Sequence, residues 1–286
     1  MILDGKIVAA SIKQQLKEEI DNAVASGRRP PRLIIISVGD DPASKVYVRN
    51  KMKAAEAVGI DALHKHYNDD ISPSEVKSYI DVLNLAEEVS GIMVQLPLPP
   101  HLDERAIIDT IDPTKDVDGL TTTNIGRLRS GQPCIKPCTA AGIIDLLDYY
   151  NIEIDGKDIT IIGRSNIVGK PLADMMMERG ATITQCHSHT RSLEDAIDYA
   201  DMVVSAVGKP KLLNHEPLSF WTDTIIDVGI NRDENGKLCG DVDYDDIIEH
   251  RMDTINITPV PGGVGPMTVA ELMKNTVECW RENNGK

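Results

Sequence analysis

Ile159-Thr160-Ile161-Ile162-Gly163-Arg164-Ser165-Asn166-Ile167-Val168-Gly169-Lys170-Pro171 runs from a β-branched apolar strand through a glycine turn into a helix. Gly163 can take a tight turn that leaves room for a diphosphate against the backbone. The helix N-terminus beyond it offers unpaired N–H groups and a positive dipole end. The stretch is not a G-x-G-x-x-G fingerprint, and it misses the Walker A pattern because five residues separate Gly163 from Gly169 and Pro171 stands where Ser or Thr belongs. On these residues alone, a plain structural turn and a dinucleotide turn are about evenly matched.

Working outward, apolar β-branched runs alternate with amphipathic helical stretches along the whole chain, the pattern of α/β architecture with mostly parallel sheets. Downstream of the glycine turn lie a helix over 168–179, a strand over 182–185, a helix over 193–199 and strands over 202–206 and 224–228. Upstream, Thr139 can cap a helix reaching Tyr150. The first half reads as a similar unit: a helix over 6–26, a strand over 33–38, a helix from its candidate N-cap Ser44 to Val58, a strand over 61–66, a helix over 74–86 and a strand over 91–95. At the far end, Thr268 and Glu271 read as a capping box, and Val269, Leu272, Met273, Thr276, Val277 and Trp280 line one helical face that must dock on something apolar.

Composition bounds the function. With 286 residues, two domains are expected, and 41% hydrophobic residues suffice for a sizeable core. The net charge of −15 lacks the basic footprint of a nucleic-acid binder, and two Trp, seven Tyr and one Phe leave few stacking platforms for single strands. Apolar runs such as 33–38 are far too short to span a membrane, and no signal-like segment opens the chain, so a soluble, unsecreted protein is expected. Five scattered cysteines without a C-x-x-C pair fit reduced thiols in a cytoplasm-like compartment.

Chemistry-bearing residues cluster in five short motifs. At the end of the strand over 182–185 stand Cys186, His187 and Ser188, where an NAD site usually carries an acid, so a 2′-phosphate meets no repulsion and NADP is favoured, with Arg164 and Ser188 at hand. His187 and His189 have no carboxylate cluster beside them, and no metal is expected. Tyr47 and Lys51 lie four apart on one helix face; such a pair is usually a packed ring with a snorkelling ammonium, unless a lowered lysine pKa makes it a proton-transfer group. Gln95 sits at the carboxyl end of a buried strand, where open α/β sheets place ligands, and Asp116 and Asp118 lie in one turn. Pro261-Gly262-Gly263-Val264-Gly265-Pro266 is a loop without obstructing side chains.

Taken together, Tyr47-Val48-Arg49-Asn50-Lys51, Gln95-Leu96-Pro97-Leu98-Pro99, Lys115-Asp116-Val117-Asp118-Gly119, Gly163-Arg164-Ser165 and Pro261 to Thr268 resemble the bifunctional methylenetetrahydrofolate dehydrogenase/cyclohydrolases, in that family's order and over nearly the whole chain. The resemblance implies oxidation of 5,10-methylenetetrahydrofolate with NADP, then hydrolysis of the methenyl cation to 10-formyltetrahydrofolate, in one-carbon metabolism that serves purine biosynthesis. It implies two α/β domains with a cleft between them: 1–138, catalytic and folate-binding, completed by a C-terminal helix over 267–286, and 139–266, Rossmann-like and NADP-binding. It makes Lys51 the catalytic lysine, Tyr47 the residue that stacks on the folate, Gln95 the lysine's partner and Asp118 the grip on the pterin. Leu96, Pro97, Pro261, Gly262 and Gly263 would join the folate site, and Gly163, Arg164, Ser165, Ser188 and Ile230 would contact the cofactor. Tetrahydrofolate derivatives, a homodimer and a cytoplasmic location are further implications, with no nucleic acid or membrane partner. One departure is Ala140, where the family often has Pro.

Two rivals are weaker. A short-chain dehydrogenase also pairs Tyr and Lys four apart, but there the glycine turn precedes the pair, whereas here Tyr47 and Lys51 come first. A nucleotide-sensing module that had lost its chemistry would not be expected to retain Lys51, Gln95 and Asp118 together.

Overall fold

The computed structural model describes residues 1–284, and the chain divides into two compact units. One comprises Ala10–Cys138 and the residues from Val269 onward; the other comprises Met1–Ala9 and Thr139–Thr268. The elements in chain order are α1 (Gly5–Ala25), β1 (Arg32–Val38), α2 (Pro42–Val58), β2 (Asp61–Tyr67), α3 (Pro73–Leu85), β3 (Gly91–Val94), α4 (Glu104–Ile108), α5 (Thr122–Arg129) and α6 (Cys138–Tyr149). There follow β4 (Asp158–Ile162), α7 (Gly169–Glu178), β5 (Thr182–Cys186), α8 (Leu193–Ile197), β6 (Met202–Ser205), β7 (Thr224–Asp227), β8 (Asn231–Arg232), β9 (Leu238–Cys239), α9 (Tyr244–Arg251), β10 (Asn256–Ile257) and α10 (Val264–Asn284). The last two residues of the expected 267–286 helix lie outside the described residues.

In the first unit, three parallel strands are ordered β2-β1-β3. The side-chain period of two splits β1 between two cores. Leu33 and Ile35 pack with α1, α2 and the α10 residues Leu272, Met273, Val277 and Trp280 on one face. Ile34 and Ile36 pack with Val76, Ile80 and Leu83 of α3 and Ile107 of α4 on the other. A strand buried on both faces is mostly apolar, as β1 is from Leu33 to Ile36; the buried Ser37 pairs its hydroxyl with His64 and His66. In the second unit, five parallel strands are ordered β10-β7-β6-β4-β5. The order reverses beside β4, since β5 lies on one side of it and β6 on the other, so the carboxyl ends of β4 and β6 flank a topological switch point.

Several boundaries differ from the expected ones, each for a local reason. The cap of α2 is Asp41 rather than Ser44: Asp41 accepts from the Ser44 N–H at 2.7 Å, and Pro42 takes the first helical turn, where no N–H is needed. Thr139 lies inside α6, which begins at Cys138. The capping box at Thr268 and Glu271 is absent because α10 starts four residues earlier; the Thr268 hydroxyl donates back to the Val264 carbonyl at 3.4 Å. Residues 1–9 belong with the second unit instead of the first. Ile2 bridges Ile257 in parallel, and the Leu3 N–H donates to the Ile257 carbonyl at 2.8 Å.

Trp280 is 1% exposed, and its indole N–H donates to the Arg29 carbonyl at 3.1 Å. Trp280→Ala should cost about 3–5 kcal/mol of stability, read from the midpoint of urea unfolding followed by circular dichroism. A loss below about 1 kcal/mol would contradict this docking of α10.

Candidate active site

Lysine at position 51 falls on the inner face of α2, and only 9% of it is exposed. Its ammonium Nζ donates to Gln95 Oε1 at 3.0 Å and lies 3.5 Å from Met93 Sδ. Met93 belongs to β3, and Gln95 stands just past its end, where its N–H still donates to the Ile36 carbonyl at 2.8 Å. The other end of the Gln95 amide donates to the Leu96 carbonyl at 2.7 Å, which fixes the orientation of Oε1. The Leu96–Pro97 peptide is cis. A neutral amide and a thioether do not compensate a buried positive charge. Burial therefore pushes the Lys51 ammonium below the ordinary lysine range, and the negative charge of Asp118 only partly opposes it. One turn earlier, Tyr47 is 38% exposed, and partial burial pushes its phenol up, keeping it protonated.

Asp118 is held by its neighbours. The Asn275 side-chain amide of α10 donates to the Val117 carbonyl at 2.9 Å and to the Lys136 carbonyl at 3.0 Å. Gly119 has φ +69°, and a Cβ there would stand 2.5 Å from the Lys136 carbonyl carbon, so this turn has room only for glycine. The other two charges of this motif are structural. Asp116 is buried and accepts from the Thr121 N–H at 2.8 Å and the Asn124 amide at 3.0 Å, and burial raises its pKa. Lys115 donates to the carbonyls of Leu83, Asn84 and Ala86, closing the end of α3. Met93 and Asn275 escape sequence reasoning, because an apolar strand residue and a helix asparagine carry no signal until the fold brings them to Lys51 and Asp118.

In the second unit, Gly163 has φ +124°, and a Cβ there would stand 2.5 Å from the Ala206 carbonyl oxygen, so the loops after β4 and β6 meet backbone to backbone. Ser165 turns the chain into α7: its hydroxyl accepts from the Val168 N–H at 3.1 Å and the Gly169 N–H at 3.4 Å. Arg164, Ser165, Ser188 and Ile230 are all exposed, and Ser188 lies two residues beyond the end of β5 with no acid adjoining it. Pro261, Gly262 and Gly263 also belong to this unit; the Val260–Pro261 peptide is cis and the Gly263 N–H donates to the Pro259 carbonyl at 2.7 Å.

His187 and His189 form a local turn, with the His189 N–H donating to His187 Nδ1 at 3.1 Å. Another His/Asp cluster, unmarked in the sequence, joins His215, Asp246 and His250. There His215 Nδ1 hydrogen-bonds the Asp246 carboxylate at 2.9 Å, His250 Nδ1 hydrogen-bonds the Asp246 backbone carbonyl at 2.9 Å and lies 3.5 Å from the carboxylate, and the two rings stack 3.7 Å apart, 9° from parallel.

These features coincide with a known family. Residues 3–118 match the catalytic domain, and residues 137–284 the NAD(P)-binding domain, of tetrahydrofolate dehydrogenase/cyclohydrolase. The chain is 48% identical over 282 residues to the bifunctional protein FolD of Agathobacter rectalis, covering 98% of this chain and 99% of that one. The bifunctional FolD structure from Campylobacter jejuni superposes with a TM-score of 0.94 at 42% identity, covering 99% of both chains. The Trypanosoma brucei FolD structure, determined with NADP cofactor and inhibitor, gives 0.92 at 36% identity, covering 100% of this chain and 99% of that one. The chain belongs to the tetrahydrofolate dehydrogenase/cyclohydrolase family. It is a two-domain α/β enzyme with methylenetetrahydrofolate dehydrogenase and methenyltetrahydrofolate cyclohydrolase activity. Among the described residues, no helix is long and apolar enough to cross a membrane.

The Lys51 environment has a measurable consequence. Its folded pKa lies below the ordinary 10.5, so between those two values the unfolded chain binds more protons and stability rises with pH. The stability of the native protein relative to Lys51→Met should therefore increase as pH rises through that window, measured by urea unfolding from pH 7 to pH 10. A difference that is flat or falls over that range would contradict the burial of an uncompensated ammonium.

Proposed function

We propose that the unit containing Lys51 binds and converts the folate, and that the unit containing Gly163 binds NADP at the carboxyl ends of β4 and β5. The single observation that carries the reading is the buried hydrogen bond from Lys51 Nζ to Gln95 Oε1. It holds the amine at a fixed place without giving it a carboxylate that would keep it charged. The residues around the glycine turn fit the cofactor: Gly163 brings no side chain, Arg164 is exposed beside it, and no carboxylate adjoins Ser188 in the sequence, where it would repel a 2′-phosphate. When bound, NADP supplies the acceptor for the hydride that leaves the methylene carbon of 5,10-methylenetetrahydrofolate.

In this reading Tyr47 supplies a ring surface for the folate, Asp118 accepts hydrogen bonds from its pterin, and Gln95, Leu96 and Pro97 border the one-carbon unit. The exposed Pro261, with the buried Gly262 and Gly263 shaping the loop behind it, would also meet the substrate, and Arg164, Ser165, Ser188 and Ile230 contact the cofactor. Loss of hydride leaves a methenyl cation. Water then adds to its carbon, the bond from that carbon to N5 breaks, and 10-formyltetrahydrofolate is formed with release of a proton. Lys51 assists by taking the proton from the attacking water while it is neutral and returning it to the departing nitrogen. A permanently charged Lys51 would oppose the cation instead. The protein works in the cytoplasm as a homodimer, in one-carbon supply to purine biosynthesis. Its acidity and sparse aromatics argue against nucleic acid as a partner.

Lys51→Met keeps the apolar stem and removes the amine. It should abolish methenyl hydrolysis, followed as loss of methenyl absorbance above the spontaneous rate, while NADP reduction with methylenetetrahydrofolate stays measurable. Normal hydrolysis by the folded variant would overturn the role. Arg164→Ala should raise the KM for NADP at least tenfold and that for NAD much less; an equal rise for both would remove Arg164 from the 2′-phosphate site.

A further inference from the structure

At the carboxyl ends of the central strands of the second unit, one internal carboxylate ties the loops together. Asp241, two residues past the end of β9, is 0% exposed. Its Oδ2 accepts from the Val207 N–H at 2.8 Å, the Gly208 N–H at 3.3 Å and the Ser205 hydroxyl at 3.1 Å. Its Oδ1 accepts from the Lys209 N–H at 2.8 Å and the Asn231 side-chain amide at 2.9 Å. Three successive peptide N–H groups after β6, with Gly208 at φ +68°, thus converge on one anion, the arrangement of a backbone anion nest. The anion in it belongs to the protein. Asp227 at the end of β7 holds the segment that carries Asp241, accepting from the N–H groups of Gly229, Asp241 and Val242 at 2.9–3.1 Å. Both carboxylates lie against glycine: a Cβ at Gly229 would meet Asp241 Oδ1, and a Cβ at Gly240 would meet Asp227 Oδ2.

This clamp faces the switch point. The loop it fixes begins at Ala206, whose carbonyl oxygen is the atom that a Cβ at Gly163 would strike. The loops after β4 and β6 therefore form the two sides of the crevice in which an open parallel sheet binds its ligand. We propose that Asp241 is a positioning residue for the dinucleotide: by filling the nest at 207–209 it fixes the β6 side of the crevice and denies those N–H groups to the cofactor's phosphates. The diphosphate is thereby left to the glycine turn at 163–165. The proposal rests on the reading of this unit as the NADP site.

Asp241→Asn keeps the shape but replaces one acceptor by an NH2 group that faces backbone N–H donors. The dissociation constant for NADP+, measured by isothermal titration calorimetry on the full chain without folate, should rise at least tenfold. Amide hydrogen exchange at 207–209 should quicken, with β6 and β7 protected as before. Methenyl hydrolysis should keep its native rate, which separates a local effect from general unfolding. An affinity within twofold of native, with exchange at 207–209 accelerated, would overturn the proposal, as would unchanged exchange there. Should Asp241→Asn fail to fold, Asn231→Ala removes one partner of the same carboxylate and should weaken NADP+ about threefold; no change would overturn the proposal equally. Failure of the native protein itself to bind NADP+ would instead count against the cofactor reading, and the exchange at 207–209 would still test the clamp.

Discussion

The unit that contains Lys51 is arranged around one unfavourable act, the burial of a lysine ammonium against a neutral amide and a sulfur. An isolated charge in such a place costs several kcal/mol, and the chain answers by letting the amine become neutral more readily than in water. Everything needed to keep water out is packed apolar material: β1 between two cores, α2 beside it, and α10 from the far end of the chain. The same α10 carries Asn275, which secures the turn of Asp118. The helix that closes the core thus also sets the distance at which a carboxylate opposes the lysine's deprotonation.

The second unit solves a different problem with backbone instead of side chains. Its glycine turn after β4 approaches the loop after β6 so closely that a methyl group would not fit, and buried carboxylates bind the neighbouring loops by their N–H groups. Burial pushes Asp227 up to about 7, even with three backbone donors opposing the shift.

Periodicity made most of the architecture legible. Apolar β-branched runs marked β1, β3, β4, β6 and β7 because strands buried on both faces are mostly apolar. Short elements such as β8, β9, β10 and α9 were not visible, since two-residue strands have no period and α9 is largely polar. Caps failed where two hydroxyl or acidic residues competed: Asp41 lies ahead of a proline and wins over Ser44. Of the candidate site, the places of Tyr47 and Lys51 on one helix, Gln95 at a strand end and Asp118 in a turn were legible, and the first three stand on α2 and just past β3. Met93, Asn275 and Asp241 were not, because their significance comes from partners distant in the chain and, for Asp241, largely from backbone N–H groups. The amino-terminal residues crossed to the other unit because β10 offered Ile2 and Leu3 a backbone partner at Ile257.

Burial makes the Lys51 amine neutral more readily than an exposed lysine's, and on that rests its proposed part in methenyl hydrolysis. The most direct measurement is the titration of the Lys51 side chain by 13C NMR of ε-labelled lysine, assigned with Lys51→Met, beside the pH profile of enzymatic methenyl hydrolysis corrected for the spontaneous reaction. The account predicts a Lys51 midpoint below 10.5 and an inflection of the hydrolysis rate at the same pH. A lysine that titrates at or above its ordinary value, or a rate that ignores its titration, would contradict it.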